Sequence, residues 1–102
     1  MPIGSAMNRD EVLNVLRTHK KVLAERFGVT ELAIFGSYAR NEATSESDLD
    51  ILVQFKAPST FKGYFGTQFY IEDLLGLEVD LVTDKALREE MRSCIEKDLI
   101  QI

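Results

Sequence analysis

The first periodic segment of the chain predicts an amphipathic helix from about residue 9 to residue 26. Asn8 and Glu11 have the spacing of a capping box, in which each side chain bonds the backbone N–H of the other residue. Gly28 stands where a left-handed residue commonly ends a helix. The apolar positions recur at intervals of three and four residues, as on one helix face: Val12, Leu13, Val15, Leu16, Val22, Leu23 and Phe27.

Three short segments have the patterns of β-strands. Segment 31–35 is an apolar run that ends at Gly36, which is typical of a buried strand entering a tight turn, and the chain then turns toward a short helix. Segments 48–55 and 78–83 alternate, so that each has one apolar face and a second face that carries aspartates.

Two further segments predict helices. Segment 61–75 is expected to be a loop leading into a helix, because Gly63 and Gly66 weaken its first turns. Asp84 is expected to cap a last helix with an apolar stripe formed by Leu87, Met91, Cys94, Ile95 and Leu99. The aromatic residues of the earlier segment favour core packing, with a base pocket or a partner groove as the alternative: Phe61, Tyr64, Phe65, Phe69 and Tyr70.

This order of elements predicts an α/β (α+β) fold. We expect a small mixed sheet of three to four strands with helices packed mainly on one face, which leaves the other face open for a site. A chain of 102 residues has enough apolar surface for one core, so residues 1–102 are expected to form a single domain. Residues 1–6 have the composition of a cloning remnant in front of Met7.

Charge and cysteine content narrow the functional classes. The formal net charge is −5, and segment 41–80 contains eight acidic and two basic residues. That excess would repel phosphate backbones, so a broad nucleic-acid surface is not expected. No apolar run approaches the roughly 20 residues of a membrane-spanning helix, and no membrane association is expected. The single cysteine, Cys94, is expected to be reduced and buried in a cytoplasmic protein.

Aspartates at alternate positions of one strand face are the first candidate chemistry. The side chains of Asp48 and Asp50 project to the same side, roughly 6 to 7 Å apart by the rise per residue. If segment 78–83 lies beside segment 48–55, Asp80 joins the same face. Three carboxylates at one spot suit hard divalent cations that prefer oxygen ligands. Taken alone, the pair is more typical of solvated residues on an open sheet face.

The turn before these aspartates is the second candidate feature. Gly36 allows a backbone to approach a phosphate closely, and free N–H groups at a helix start favour an anion. Ser37 can add its hydroxyl, and Arg40 lies one helical turn further on, where it could hold a phosphate or a carboxylate of the site. Together, the turn and the aspartates describe the two halves of a metal–nucleotide site.

These residues carry a resemblance to a known family. The segment 36–40 (GSYAR), followed by 47–50 (SDLD), resembles the G-S-x-A-R…S-D-x-D signature of the minimal nucleotidyltransferases of the DNA polymerase beta-like superfamily. Asp80 matches the third acidic residue of that family, so the resemblance covers nearly the whole chain. Asn41 stands where the family commonly has glycine, and asparagine tolerates the left-handed region well.

The resemblance implies an enzyme that transfers a nucleotidyl group. An acceptor oxygen would attack the α-phosphorus of ATP, and pyrophosphate would leave. Asp48, Asp50 and Asp80 are implied to be catalytic and to hold Mg²⁺, as two ions, with Asp80 nearer the acceptor hydroxyl.

Four further residues are implied to bind the nucleotide. Gly36 and Ser37 would cradle the β- and γ-phosphates, and Arg40 would orient the loop or balance charge. Ser47, in the second half of the signature, completes this set.

The resemblance also implies a partner. Minimal proteins of this family resemble the antitoxins of HEPN-domain ribonuclease toxins, in which AMP is transferred to a tyrosine of the toxin, and a hetero-oligomer with that partner is expected. Two alternatives stay open. The chain could neutralise its partner by binding alone, or it could transfer a nucleotide to a small molecule such as an aminoglycoside, or to a nucleic-acid end.

Overall fold

The computed structural model describes residues 8–44, 46–56 and 61–102. The expectation about residues 1–6 lies outside this part of the chain. The elements follow in the order α1 (Arg9–Phe27), β1 (Val29–Phe35), α2 (Gly36–Ala39), β2 (Leu49–Phe55), α3 (Phe61–Leu75), β3 (Val79–Thr83), a 3₁₀ turn (Asp84–Ala86), α4 (Glu89–Asp98) and β4 (Ile100–Gln101).

The strands form one four-stranded mixed sheet in the order β3-β2-β1-β4. β1 runs antiparallel to both β2 and β4, whereas β2 and β3 run parallel. The parallel pair is connected through α3, which gives the crossover that a parallel connection needs. The predicted mixed sheet of three to four strands is confirmed.

The main core lies between one face of this sheet and the helices α1 and α3, which contact each other. On β1, Ala33 alternates with the core residues Leu32 and Ile34, so it faces the opposite side. Ala33 is nevertheless buried, as is Ile95 of α4, and α4 contacts β1. α4 therefore covers part of the second face, and the remainder of that face carries the aspartates.

The ends of α1 are formed as its sequence predicts. The N–H of Glu11 donates to Oδ1 of Asn8 at 2.8 Å, and the N–H of Asn8 donates to Oε1 of Glu11 at 3.0 Å. Gly28 ends the helix in the left-handed region, with φ of 75°. The two bonds between Asn8 and Glu11 each satisfy a backbone N–H that the start of a helix leaves without a partner.

The start of α3 differs from the prediction, because the helix begins at Phe61 and no loop precedes it within segment 61–75. Gly66 lies where a Cβ would come 2.6 Å from Cε1 of Phe27. This glycine therefore allows α1 and α3 to approach closely, and the packing it permits outweighs its low helix propensity.

Two expectations about the C-terminal segment are wrong, the cap at Asp84 and the burial of Cys94. Asp84 does not cap α4; it begins the 3₁₀ turn and accepts a hydrogen bond from Nη1 of Arg92 at 3.0 Å. Arg88 precedes the first turn of α4 instead. Cys94 is exposed, and Met91 is 51% exposed, because α4 turns only a narrow stripe around Ile95 toward the sheet.

Two further observations complete the fold. Strand β4 was not predicted, since two residues are too few to carry an alternating pattern. Among the helices of the described residues, none combines the length and apolar character that crossing a bilayer requires.

Candidate active site

Asp50 and Asp80 lie side by side on the parallel strands β2 and β3. They are register partners in the sheet, and the Asp80 charge acts on the Asp50 carboxyl. Both alternate with buried core residues, so they project from the face opposite the main core. The predicted neighbourhood of these two carboxylates is therefore present in the structure.

Burial and like charge act together on Asp50. Its pKa rises from 3.8 to about 6, first because the carboxyl is partly buried and then because Asp80 and Asp48 add negative charge nearby, opposed in part by the positive charge of Arg40. A carboxyl in such surroundings holds its proton to a higher pH than a solvent-exposed aspartate does. A bound divalent cation would reduce the repulsion between the carboxylates as a proton does, because it supplies positive charge at the same place.

Gly36 is packed directly against this carboxyl. It has φ of 75°, and a Cβ at this position would overlap Oδ2 of Asp50 and lie 3.2 Å from its Cγ. The register explains the contact, because Phe35, the residue before Gly36, pairs with Asp50 across β1 and β2. The position requires glycine for both its backbone conformation and its space.

Ser37 and Asn41 belong to the tight turn that follows Gly36. Ser37 is the second residue of α2, and its carbonyl oxygen accepts a hydrogen bond from the N–H of Glu42 at 2.8 Å. Asn41 is left-handed, with φ of 61°, so asparagine fulfils the role expected of it in place of glycine. These contacts hold the turn beside the aspartates.

Asp48 and Ser47 precede β2. Asp48 is exposed, yet its charge acts on Asp50. Ser47 closes a short turn with Thr44: its Oγ accepts from the N–H of Thr44 at 2.9 Å, and its own N–H donates to the carbonyl of Thr44 at 3.1 Å. In this structure Ser47 orients the chain that enters β2, and its part in nucleotide binding stays a prediction.

Arg40 contacts acidic residues outside the aspartate cluster. Its Nε donates to Oε1 of Glu42 at 2.9 Å and its Nη1 to Oδ2 of Asp98 at 2.7 Å, and these bonds raise its pKa. The guanidinium therefore joins the end of α2 to the end of α4. It acts on Asp50 through its charge and makes no hydrogen bond to it among the described contacts.

The fit of these residues to a divalent cation rests on Asp50 and Asp80. Within residues 8–44, 46–56 and 61–102, no three acidic, histidine or cysteine side chains are arranged closely enough to form a metal site as they stand. Two adjacent carboxylates that repel each other and present only oxygen atoms nevertheless fit a hard cation such as Mg²⁺. Asp48 is exposed, so its side chain is free to turn toward a cation held by this pair.

The aromatic residues of α3 do not all pack into the core as expected. Phe65 is 41% and Phe69 is 61% exposed, and their rings stack with centroids 6.2 Å apart. The expectation of core packing is wrong for these two residues, although Tyr64 and Tyr70 do pack against the core. The side chain of Phe61 lies outside the described part of the structure.

Sequence reasoning missed three polar contacts between α3 and the edge of the sheet. Tyr64, Gln68 and Glu72 bond the backbone of β3 on either side of Asp80. Their spacing of four residues was the available signal, because it places them along one side of a helix. The aromatic pattern of the segment concealed it.

With this geometry established, comparison with known proteins identifies the family. Residues 16–101 match the family model described as a nucleotidyltransferase domain. The chain belongs to the nucleotidyltransferase family.

Relatives of this nucleotidyltransferase share most of its length. A candidate protein adenylyltransferase of Methanocaldococcus jannaschii is 46% identical over 93 residues, which cover 90% of this chain and 95% of that protein. The protein adenylyltransferase MntA of Thermococcus cleftensis is 40% identical over 93 residues, covering 91% and 94% of the two chains. The prediction that the chain is an enzyme of the nucleotidyltransferase class is confirmed.

Solved structures agree with this assignment. A structure described as a candidate minimal nucleotidyltransferase superposes with a TM-score of 0.79 at 33% identity, covering 94% of this chain and 97% of that one. A Shewanella oneidensis complex of a tri-AMPylated HEPN toxin with its MNT antitoxin matches with a TM-score of 0.57 at 18% identity, over 92% and 67% of the chains. The second likeness shows the fold alone.

Proposed function

We propose that this nucleotidyltransferase is a Mg²⁺-dependent protein adenylyltransferase that moves AMP from ATP to a tyrosine hydroxyl of a HEPN-type toxin and thereby acts as its antitoxin. Relatives that are 40% and 46% identical carry the name protein adenylyltransferase or candidate protein adenylyltransferase. A fold neighbour is an MNT antitoxin in complex with an AMPylated HEPN toxin. These names support the acceptor class and the partner, with which the chain would form a hetero-oligomer in the cytoplasm, where ATP is available.

The contact of Asp50, Asp80 and Gly36 carries the proposal. Asp48, Asp50 and Asp80 would hold the magnesium ions, two in number. When bound, the ions neutralise the triphosphate and stabilise both the attacking and the leaving oxygens of an in-line transfer. Gly36 and Ser37 would accommodate the phosphates, because the turn they form lies directly against Asp50.

The reaction is a displacement at the α-phosphorus of ATP. The acceptor hydroxyl oxygen forms a bond to this phosphorus, the bond to the bridging oxygen of the β-phosphate breaks, and pyrophosphate leaves. Asp80 would receive the hydroxyl proton at its carboxylate, since this residue is exposed at the edge of the sheet, where an acceptor can reach it. The product is a phosphodiester between AMP and the acceptor.

Intact-protein mass spectrometry tests the proposal directly. The product of the gene that neighbours this one is incubated with the chain, Mg²⁺ and ATP, and its gain of AMP units is measured. Asp50→Asn is expected to abolish the gain, whereas Glu31→Gln, which removes one charge from an exposed position of β1, should leave it unchanged. Transfer by the Asp50→Asn variant would contradict the assignment of the site.

Neutralisation by binding alone is the second candidate. The exposed and stacked rings of Phe65 and Phe69 favour it, because aromatic residues are enriched in protein interfaces. Under this alternative, Asp50→Asn would still protect cells from the toxin and would need no ATP, while Phe69→Ser would abolish protection. Labelled ATP offered with aminoglycosides and with RNA tests the remaining acceptor classes.

A further inference from the structure

β3 is an edge strand, and the backbone groups on its outer side need partners. The carbonyl of Glu78 accepts from the N–H of Leu49 at 2.8 Å, so it points toward β2. Backbone direction alternates along a strand, and Val79 and Leu81 therefore direct their N–H and C=O groups away from β2. An unprotected edge of this kind is prone to pair with other chains.

Three side chains of α3 occupy this edge in place of a further strand. Gln68 donates from Nε2 to the carbonyl of Val79 at 3.1 Å, and Glu72 accepts from the N–H of Val79 at 2.9 Å. Tyr64 donates its hydroxyl to the carbonyl of Leu81. The three residues are spaced by four and lie along one side of α3, so a single helix fixes the strand at several points.

Asp80 lies between the two anchored residues. Its backbone is bracketed by Val79 on one side and Leu81 on the other, while its side chain projects from the exposed face toward Asp50. The Asp80 carboxylate also acts on the Tyr64 hydroxyl, whose pKa is raised by burial and by this charge. The anchoring bonds thus end on the residues directly before and after Asp80.

We propose that Tyr64, Gln68 and Glu72 are positioning residues that hold Asp80 beside Asp50 in the geometry needed to bind a divalent cation. The proposal rests on the function proposed above for Asp80. Residues that orient a metal ligand from outside the coordination sphere commonly change metal affinity by 10- to 100-fold when they are removed. A strand that is fixed through its backbone keeps the carboxylate oriented without blocking its oxygen atoms.

Titration of the nucleotide-free protein with Mn²⁺, followed by electron paramagnetic resonance, tests this inference. Tyr64→Phe and Gln68→Met each remove one bond to β3 and are expected to weaken Mn²⁺ binding by about 10-fold or more. Tyr70→Phe is the matched control, since it removes a hydroxyl from the same helix whose 2.9 Å bond is to Nδ1 of His19 on α1. It is expected to bind Mn²⁺ like the wild type.

A double-mutant cycle separates positioning from a general loss of structure. If Tyr64 acts through Asp80, Tyr64→Phe has no further effect on Mn²⁺ affinity when Asp80→Asn is already present. An additional loss in that background, equal effects of Tyr64→Phe and Tyr70→Phe, or a wild type that binds no Mn²⁺ would each overturn the inference. Mn²⁺ binding that depends on Tyr64 without any AMP transfer would refute the proposed function alone.

Discussion

Replacing Asp50 with asparagine should stabilise the metal-free protein at neutral pH while removing its activity. Asp50 is partly buried and faces Asp80 and Asp48, and its pKa is raised to about 6. Above that pH the folded protein must hold an ionised carboxylate among like charges. Asparagine has nearly the same size, carries no charge and can still donate a hydrogen bond to Asp80.

The magnitude follows from the shift of the pKa. A rise from 3.8 to about 6 sets an upper bound of about 3 kcal/mol on the gain in the free energy of unfolding when Asp50 is replaced by asparagine. Because the carboxyl is partly exposed, solvent screening reduces this value to about 1 kcal/mol. In a domain of this size, that gain corresponds to a melting temperature higher by about 4 to 8 °C.

The pH dependence has a definite sign. The folded-state pKa of Asp50 lies above the unfolded value, so this group stabilises the fold fully below pH 3.8 and loses that contribution as the pH rises through about 6. The difference in melting temperature between Asp50→Asn and the wild type should therefore be largest above about pH 7 and should shrink toward about pH 4.

Thermal unfolding followed by circular dichroism, in the presence of EDTA and across this pH range, measures the effect. Glu31→Gln serves as the control, because Glu31 is exposed on the neighbouring strand β1 and its loss should not change the melting temperature. Added Mg²⁺ should raise the melting temperature of the wild type and of Glu31→Gln but not that of Asp50→Asn. An Asp50→Asn variant that melts below the wild type near neutral pH, or a gap that is independent of pH, would refute the reasoning.

Substitutions at three other contacts give separate predictions. Gly36→Ala and Gly28→Ala both place alanine at a φ near 75°, which costs about 1 to 2 kcal/mol. Only Gly36→Ala also clashes with Asp50, so it should lower the urea midpoint further than Gly28→Ala and abolish Mg²⁺ binding. Equal losses of stability in the two variants would contradict the contact between Gly36 and Asp50. Tyr38→Phe should raise the free energy of unfolding by about 1 kcal/mol, because its buried hydroxyl has no partner among the described residues, and a loss would show that the hydroxyl is satisfied. Asp98→Asn removes the negative charge that pairs with Arg40 and should lower the melting temperature slightly at low salt and not at high salt. A loss that persists at high salt would show that more than the ion pair is involved.

Sequence patterns predicted the local features of this fold better than those that depend on distant neighbours. The capping box at Asn8 and the alternation around Asp50 are visible within a few residues, and both are present in the structure. The start of α3 was wrong because Gly66 is accommodated against Phe27, a contact between two helices that no local rule contains. The exposure of Cys94 was missed for a similar reason, since it depends on how α4 packs on the sheet.

The same limit applies within the candidate site. The pair formed by Asp50 and Asp80 could be predicted because parallel strands bring alternating residues into register. The sequence could not show that Gly36 packs against Asp50, since this contact depends on the pairing of β1 with β2. Nor could it show that Arg40 pairs with Asp98, because 58 residues separate the two in the chain.

The carboxylates that would bind a cation destabilise the cation-free fold, and neighbouring contacts offset this cost. Like charges on Asp50 and Asp80 repel each other, and one of them is carried by the edge strand β3, which a neighbouring strand holds on one side only. The side chains of α3 resist that displacement by bonding the outer backbone of β3, and Gly36 closes the opposite side of the Asp50 carboxyl. The carboxylates are therefore held together before any cation binds, so a cation would meet ligands that are already placed and would itself relieve their repulsion.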